Sequence, residues 1–476
     1  MSKFDPKSGN FNFGFKHMTD FDAPLAPSQR PSFETRRQGD ILLIKTPRGS
    51  VLGLHSRELE VAQLDAAVWN LDESSPAAAL EPSIATEIRE ELAQWQASRS
   101  GQDAQGDLLV RSLTVNVAQI CNLACTYCAA GGDGTYGSKT KTPDLEKTEA
   151  QIANLLGQLP DGESFTLTFL GGEPLLHPDI IERLARHTRL MAAGRALRLR
   201  FDIVTNATLV DAERAELLAK LGAHVTVSMD GAPEQNDRAR ITKSGRGSSE
   251  LVLKGLAELL KVRDRLHSLN VGAVFGRHNL DVVGAWKYLS QLPFQTLKFD
   301  FAAEAGDETA SRLFAEGLCE VMELAFAQGG EAELRRLHVA DHLFRTLDDQ
   351  LRVRNHCLAG KNHLQLDTNG RFTVCQWFVG QRDEDLGGQV QVDEGERRAR
   401  FERDLVDENN CGNCWARYMC GGGCMSVNKV KNGNKHERDL AFCDRTRHTL
   451  LKGIEKYVEA RYNTTLDSAG AEREIH

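Results

Sequence analysis

The stretch LTVNVAQICNLACTYC (113–128) joins a short apolar run to three closely spaced cysteines. The run LTVNV (113–117) is typical of a buried strand, and Cys121, Cys125 and Cys128 follow it on a short loop. Three thiolates on one loop can bind three irons of a [4Fe–4S] cube and leave the fourth iron without a protein ligand. Such an open iron can chelate a substrate, as a catalytic zinc ion keeps one position free.

The spacing of these cysteines alone leaves two other interpretations open. Three cysteines can be small buried hydrophobic residues, and they can also be part of a structural zinc site. Their position directly after a strand favours a catalytic site, because the catalytic residues of parallel barrels lie at the carboxyl ends of strands.

Short β-rich runs alternate with helical runs from about residue 108 to 303. One helical run is DAERAELLAKLG (211–222), with Asp211 as a candidate N-cap and Gly222 past its end. This alternation predicts an α/β fold with a parallel sheet and helices outside it. Six units are too few for the eight-unit barrel, so we expect a partial (β/α)6 TIM-like barrel over residues 106–330. The six runs are 113–117, 165–170, 199–206, 224–230, 271–276 and 297–302.

Composition and charge limit the location and the partners of the chain. It has 476 residues with 58 basic and 67 acidic side chains, and its net charge of −9 argues against non-specific nucleic-acid binding. No apolar run is long enough to span a membrane, and the first residues lack the apolar core of a signal peptide. We therefore expect a cytoplasmic protein with no nucleic-acid or membrane partner. In a reducing compartment, its 11 cysteines are expected to be metal ligands or redox groups, because disulfides are rare there.

The chain before the barrel is expected to form two parts. Residues 1–38 are polar and lack helical or strand period, which predicts a flexible lead-in. Residues 39–105 predict a small α+β module, with a hairpin over 41–54 and helices over 58–73 and 82–99.

A second group of seven cysteines follows a helical, charge-rich segment. The low apolar content of this region predicts a domain over residues 331–455 that is held by metal rather than by a hydrophobic core, followed by a tail over 456–476. Two structural zinc sites are the alternative interpretation. Cys319, in a helical run, is most simply a buried core residue. The seven cysteines are Cys357, Cys375, Cys411, Cys414, Cys420, Cys424 and Cys443.

Two motifs carry a resemblance to a known family. The CxxxCxxC triad with Tyr127 before its third cysteine resembles the radical SAM (S-adenosylmethionine) superfamily, and so does Gly171-Gly172-Glu173-Pro174 after the second strand. In that family the amino and carboxylate groups of SAM chelate the open iron. The resemblance implies that Glu173 and the backbone of its motif bind the SAM amino group. Further polar contacts to the ribose and carboxylate of SAM are implied for Thr205, Asn206, Ser228, Asp230 and Arg240.

The second cysteine group closely resembles the SPASM extension of radical SAM peptide maturases, which holds two auxiliary [4Fe–4S] clusters. The resemblance implies that Cys357, Cys375 and Cys424 hold the first auxiliary cluster, which then lacks a fourth cysteine because residues 358–374 contain none. It implies four ligands for the second auxiliary cluster, namely Cys411, Cys414, Cys420 and Cys443. The protein would therefore carry SAM and three [4Fe–4S] clusters.

The resemblance implies an enzyme that cleaves SAM reductively to a 5′-deoxyadenosyl radical and modifies a peptide or small protein. Length and overall pattern are most similar to the maturases of quinohemoprotein amine dehydrogenase, which join cysteine sulfur to side-chain carbons of Asp or Glu in a small subunit. A one-electron reductant such as flavodoxin or ferredoxin is the implied partner. The N-terminal module is similar in outline to leader-peptide recognition domains, and a plain structural cap is the alternative.

Other activities stay open at the level of the sequence. Formylglycine-type sulfatase maturation and another peptide crosslink are alternatives within the enzyme class. The first is disfavoured by Gln376, because the enzymes of that type resemble one another in carrying an acid after this cysteine. A multi-cluster electron-transfer protein is the alternative from a different class, and it would leave the Gly-Gly-Glu-Pro motif unexplained.

Overall fold

The computed structural model describes residues 33–70, 82–96, 102–104, 108–128, 142–302 and 307–462. The predicted lead-in up to residue 32 and the tail from 463 to 476 lie outside the described residues. The strands are β1 Glu34–Gln38, β2 Ile41–Lys45, β3 Val51–His55, β4 Glu60–Leu64, β5 Gln102–Ala104, β6 Ser112–Ala118, β7 Ser164–Gly171, β8 Arg198–Thr205, β9 His224–Ser228, β10 Ser268–Phe275, β11 Leu297–Phe301, β12 Leu351–Val353, β13 His363–Leu366 and β14 Phe372–Thr373. The helices are α1 Pro82–Gln96, α2 Leu145–Gln158, α3 Pro178–Ala192, α4 Ala212–Leu221, α5 Pro233–Asn236, α6 Ser249–Lys261, α7 Val282–Leu289, α8 Glu308–Leu334, α9 His338–Asp348, α10 Glu394–Phe401, α11 Leu405–Glu408, α12 Arg417–Cys420, α13 Met425–Asn432 and α14 Leu440–Tyr462.

The central sheet confirms the predicted α/β fold. Its strand order is β11-β10-β9-β8-β7-β6-β13-β14, and β6 to β11 are parallel to one another. Alternate residues of β10 are buried against the helices, while the others face the inner side of the sheet and are partly exposed. Helix α4 begins and ends as predicted, because Asp211 accepts a hydrogen bond from the Arg214 N–H and Gly222 is left-handed. The carboxyl ends of six parallel strands thus meet at one edge.

The cysteine-rich region is continuous with this sheet. Strand β13 pairs in parallel with β6, from His363 opposite Ser112 to Leu366 opposite Val115. Its Leu364 and Leu366 are 0% exposed and belong to the hydrophobic core of the barrel. The expectation that this region lacks a hydrophobic core is therefore wrong, because its few apolar residues are concentrated where they meet the barrel.

Two further contacts join this region to the barrel. The guanidinium of Arg397, 1% exposed, donates to the backbone carbonyls of Gly360, Lys361 and Leu108. Helix α14 packs along α8, and its last turns run through residues 456–462. The predicted boundary at residue 455 therefore falls inside a helix.

The N-terminal module is a four-stranded antiparallel sheet in the order β1-β2-β3-β4. The hairpin over 41–54 is confirmed, since Ile41 lies opposite His55 and Lys45 opposite Val51. The helix expected over 58–73 is wrong, because β4 pairs with β3 along its whole length and these ladder bonds outweigh helix propensity. Residues 34–38, which fall in the expected lead-in, form strand β1.

Both faces of this small sheet are covered. Leu42, Ile44, Leu52 and Leu54 pack in one hydrophobic cluster with residues of α9, α12 and α14. The alternate residues of β2 pack in a second cluster that includes Leu92 of α1. The module is therefore anchored to the cysteine-rich region rather than to the barrel strands.

The end of β7 lies in backbone contact with the segment that follows β6. The Gly172 N–H donates to the Ala118 carbonyl at 2.7 Å, and the Glu173 N–H donates to the Ile120 carbonyl at 3.0 Å. A Cβ atom on Gly172 would lie 2.0 Å from the Ile120 carbonyl oxygen, and one on Gly171 would lie 2.1 Å from the Ala118 oxygen. Gly171 also has φ +136°, which favours glycine. These glycines let β7 hold the backbone just before Cys121.

We expect Gly172→Ala to destabilise the protein by about 2 kcal/mol, because the new methyl group must displace the Ile120–Cys121 backbone. The matched control is Gly157→Ala in α2, where a Cβ meets nothing within 4 Å, and which should stabilise the helix by about 0.5–1 kcal/mol. Urea unfolding of the metal-free proteins measures both. A Gly172→Ala protein as stable as wild type would show that the contact is not close.

Candidate active site

The loop of Cys121, Cys125 and Cys128 lies at the carboxyl edge of the sheet, directly after β6. It is held by the chain around residue 240, because the Ala124 N–H donates to the Ile241 carbonyl at 2.8 Å and the Thr126 N–H donates to the Ala239 carbonyl at 3.0 Å. The intervening backbone is thereby fixed, while Cys121 and Cys125 are partly exposed and Cys128 is exposed.

The thiols of this loop influence one another and are poorly solvated. Burial raises the pKa of Cys121 to about 12, and the nearby Cys125 and Cys128 add to the rise. Burial likewise raises the pKa of Cys125 to about 11. Thiolates at these positions need the charge of a bound metal to form, so the donor set fits an iron–sulfur cluster. No disulfide links any of the eleven cysteines, all of which the structure describes.

The Glu173 carboxylate, 1% exposed, is held by the protein itself. Its Oε1 accepts from the Thr205 hydroxyl at 2.7 Å and from the Leu175 N–H at 3.1 Å, and its Oε2 accepts from the Asn206 N–H at 2.8 Å. Burial raises the pKa of Glu173 to about 7. Glu173 therefore ties the end of β7 to the end of β8, and Pro174 next to it begins a short buried turn.

Asn206 connects this brace to the cysteine loop. Its Nδ2 donates to Asn122 Oδ1 at 2.9 Å and lies 3.5 Å from the Cys121 sulfur. Asn122 in turn donates to the Thr208 hydroxyl at 2.7 Å. The first cysteine is therefore oriented by the residues that follow β8.

A second buried carboxylate, Asp230, organises the opposite side of the loop. It is 0% exposed, its Oδ2 lies 3.0 Å from Arg240 Nε, and it accepts from the Tyr127 hydroxyl at 2.7 Å. Its Oδ1 accepts from the Val274 N–H at 2.9 Å. The Arg240 guanidinium also lies over the Tyr127 ring at 5.5 Å. These contacts fix the ring that precedes the third cysteine.

His278 is a residue of this edge that the sequence analysis missed. Its ring stacks on Tyr127 with centroids 4.5 Å apart and planes at 19°. Its Nε2 is hydrogen-bonded to the Val274 carbonyl at 3.1 Å. No motif surrounds His278 in the sequence, so only the return of the chain after β10 could have identified it.

The structure brings the other seven cysteines together in the two sets implied by the resemblance. Cys357 and Cys424 both contribute to the raised pKa of Cys375, whose main cause is burial. The pKa of the Cys357 thiol is also raised, to about 11, mainly by desolvation, and the nearby Cys424 adds to the rise. We call Cys357, Cys375 and Cys424 the three-cysteine set.

The four-cysteine set, Cys411, Cys414, Cys420 and Cys443, lines one small cavity of about 30 Å³. Burial raises the pKa of Cys420 to about 12, and the other three sulfurs add to the rise. Arg438 and Arg447 also line this cavity. Among the described residues, no three His, Cys, Asp or Glu side chains could hold a single metal ion. A cubane binds each thiolate to a different iron, so its ligands need not converge on one point.

Lys298 and Asp300 on β11 connect the barrel to the three-cysteine set. Lys298 Nζ lies 3.0 Å from Asp300 Oδ2. Asp300 raises the pKa of Lys298, and the nearby Cys357 and Cys424 add to the rise. Lys298 is paired in register with Gly272, which in turn is paired with Ser228 at the half-buried end of β9. The three-cysteine set therefore lies near the same inner face as the predicted SAM contacts.

Comparison with known proteins places these features in a family. The family described as the radical SAM superfamily matches residues 115–281, which include the cysteine loop, Glu173, Asp230 and Arg240. An uncharacterised protein of Archaeoglobus fulgidus is 31% identical over 361 residues, covering 73% of this chain and 81% of that protein. The mycofactocin maturase MftC of Mycobacterium ulcerans is 25% identical over 329 residues, covering 66% of this chain and 83% of MftC. A shorter match, 31% identical over 148 residues, covers 31% of this chain and 48% of an uncharacterised protein of Methanocaldococcus jannaschii.

The fold has a solved counterpart. Native anSMEcpe with bound AdoMet matches with a TM-score of 0.63 at 19% identity, and the match covers 74% of this chain and 100% of that one. No helix among the described residues is long and apolar enough to cross a membrane. With a parallel barrel, an accessible three-cysteine loop at its carboxyl edge and a family match across both, this chain belongs to the radical SAM superfamily of enzymes.

Proposed function

We propose that this enzyme modifies a peptide or small protein and forms thioether crosslinks between cysteine sulfur and a side-chain carbon of Asp or Glu, as in quinohemoprotein amine dehydrogenase maturation. The observation that carries the proposal is the position of the three-cysteine set beside Lys298, on the inner face that also bears Ser228. A substrate that lies between the SAM site and the three-cysteine set can present a carbon to the first and a sulfur to the second. The maturase name of MftC and the solved anSMEcpe complex with AdoMet and Cp18Cys peptide support a peptide substrate.

The cysteine loop is assigned to the catalytic cluster. Cys121, Cys125 and Cys128 would hold a [4Fe–4S] cluster, which supplies the electron for reductive cleavage of SAM to a 5′-deoxyadenosyl radical when both are bound. The partly exposed backbone of Gly171 and Gly172 is the proposed contact to the SAM amino group, and Ser228 is a proposed contact to its ribose or carboxylate. We assign positioning roles to the residues whose polar atoms are bonded within the protein, namely Tyr127, Glu173, Pro174, Thr205, Asn206, Asp230 and Arg240.

The auxiliary sets are assigned complementary roles. The three-cysteine set leaves one iron of its cluster without a cysteine ligand, and a substrate thiolate can complete it. A thioether forms when one C–S bond replaces a C–H and an S–H bond. The hydrogen atom leaves the carbon, the proton leaves the thiol, and one electron remains to be accepted. We assign that electron to the four-cysteine cluster and, beyond it, to a one-electron carrier such as flavodoxin or ferredoxin.

Leader recognition is proposed for the N-terminal sheet. Among the described residues β1 is an outer strand, paired only with β2. An outer strand can add a strand from a bound peptide. Arg37 on β1 donates to the Asn413 carbonyl at 2.8 Å, which links this sheet to the loop of the four-cysteine set. A bound leader would thus lie next to the auxiliary domain.

Membership of a family of enzymes argues against the interpretation of this chain as a plain electron-transfer protein.

The assignment of the cysteine loop to the catalytic cluster can be tested directly. We expect Cys125→Ala to reduce SAM cleavage to background, because the open cluster is lost, while two auxiliary clusters remain. Reconstituted wild type should then hold about twelve irons per chain and the variant about eight. Cys319→Ala is the matched control, because Cys319 is 7% exposed in the core and should keep both values. Deoxyadenosine formed by Cys125→Ala at the normal rate would disprove the assignment.

The thioether product can be tested by mass. Reduced enzyme, SAM and an acidic substrate peptide with one cysteine should yield a product that has lost two hydrogens and whose cysteine no longer reacts with iodoacetamide. We expect Cys357→Ala to keep SAM cleavage and lose this product, because the site for the substrate thiolate is damaged. A peptide of unchanged mass despite SAM cleavage rules out the crosslink, and loss of the sulfur atom indicates formylglycine formation instead.

A further inference from the structure

The Lys298 ammonium lies on the inner face of β11, two strands away from Ser228, a proposed SAM contact. Ser228, Gly272 and Lys298 are paired in register across β9, β10 and β11. Neighbouring strands lie about 4.8 Å apart, so the Cα atoms of Ser228 and Lys298 are separated by about 10 Å. Gly272 between them has no side chain, and a Cβ atom there would meet the Thr226 side chain at 3.5 Å, an ordinary van der Waals contact.

The surroundings of Lys298 differ from those of an isolated surface ion pair. About half of the side chain is exposed, at 53%. The pKa of its ammonium is raised by Asp300 and, to a smaller extent, by Cys357 and Cys424 of the three-cysteine set. An ordinary surface ion pair on the outside of an edge strand would not be near these groups.

Among the described residues near the three-cysteine set, Lys298 is a cation with donors left for a ligand. The nearby Arg445 is engaged, because its guanidinium packs between Phe301 at 4.8 Å and Phe442 at 5.0 Å and donates to the Ser311 hydroxyl at 2.5 Å. Lys298 has three N–H donors and Asp300 accepts from one side, so further donors can reach a second acceptor. Asp300 holds the ammonium in place over the inner face.

We infer that Lys298 binds the carboxylate of an acidic substrate side chain, and that Asp300 positions Lys298 and competes with that carboxylate for it. The inference rests on the proposed peptide-modifying function, and it would explain why that function selects acidic side chains over neutral ones. A carboxylate held here lies between the SAM contacts and the three-cysteine set, so the carbons beside it face the reacting groups. A charge-assisted hydrogen bond in such a partly desolvated position is stronger than a neutral one.

The test is binding of two fluorescent peptides to reconstituted holoenzyme without reductant. Both are about 18 residues long with one cysteine, and they differ only in a single Glu or Gln three residues from it. We expect wild type to bind the Glu peptide about tenfold more tightly, as one charge-assisted bond predicts. Lys298→Met should remove this preference, and Lys298→Arg should keep it. Asp300→Asn should strengthen binding of the Glu peptide, because the competing carboxylate is gone.

The control is Lys287→Met on α7, an exposed lysine on the helix side of the sheet, which should bind as wild type does. Equal affinity of wild type for the two peptides, including no measurable binding of either, overturns the inference. So does weaker binding of the Glu peptide by Asp300→Asn with an unchanged unfolding temperature, since Asp300 would then not compete with the ligand for Lys298. A Glu preference without crosslinking leaves this site standing and removes only the thioether reaction. Crosslinking without a Glu preference overturns the Lys298 site and leaves the thioether reaction standing.

Discussion

The structure depends on the backbone contact between the end of β7 and the segment that joins β6 to the cysteine loop. Gly171 and Gly172 approach the carbonyls of Ala118 and Ile120 so closely that no side chain fits at either position. The amide hydrogen bonds across this contact fix the chain one residue before Cys121. A loop that must hold a cluster in one orientation relative to a cosubstrate needs this constraint, because a flexible loop would lose the geometry of electron transfer into a bound sulfonium.

Most polar residues that follow the strands act within the protein. Glu173 and Asp230 are fully buried carboxylates, and each collects hydrogen bonds from the ends of neighbouring strands. A buried charge is costly unless donors satisfy it, and a network that is satisfied rigidifies its surroundings. Burial removes solvent from the Glu173 carboxyl group and raises its pKa. We therefore interpret these residues as a rigid frame that presents glycine backbone, Ser228 and the three thiols to the cofactor.

The auxiliary region is fixed to the barrel by the same kind of interaction that builds the barrel. Strand β13 extends the sheet beyond β6, and the core around Leu364 and Leu366 is shared. The buried Arg397 bonds to carbonyls on both sides of this junction. Since the sheet is continuous, the distance from the catalytic loop to the three-cysteine set is set by strand geometry rather than by a linker. In the proposed reaction, a substrate between them would meet fixed partners on two sides.

The sequence by itself predicted the fold class and the position of the cysteine loop directly after the first barrel strand, while the grouping of the other cysteines was implied by a resemblance. Strand and helix periods repeat locally, and ligand spacing within a short loop is written in consecutive residues such as Cys121 to Cys128. The sequence did not predict strand β4. The residues of β4 have a helical pattern, and their pairing with β3 makes them a strand. The sequence also could not separate Glu173 as a brace from Glu173 as a ligand, or reveal His278, Lys298 and Asp300. These roles depend on which residues from distant parts of the chain become neighbours, and only the packing of one strand against the next decides that.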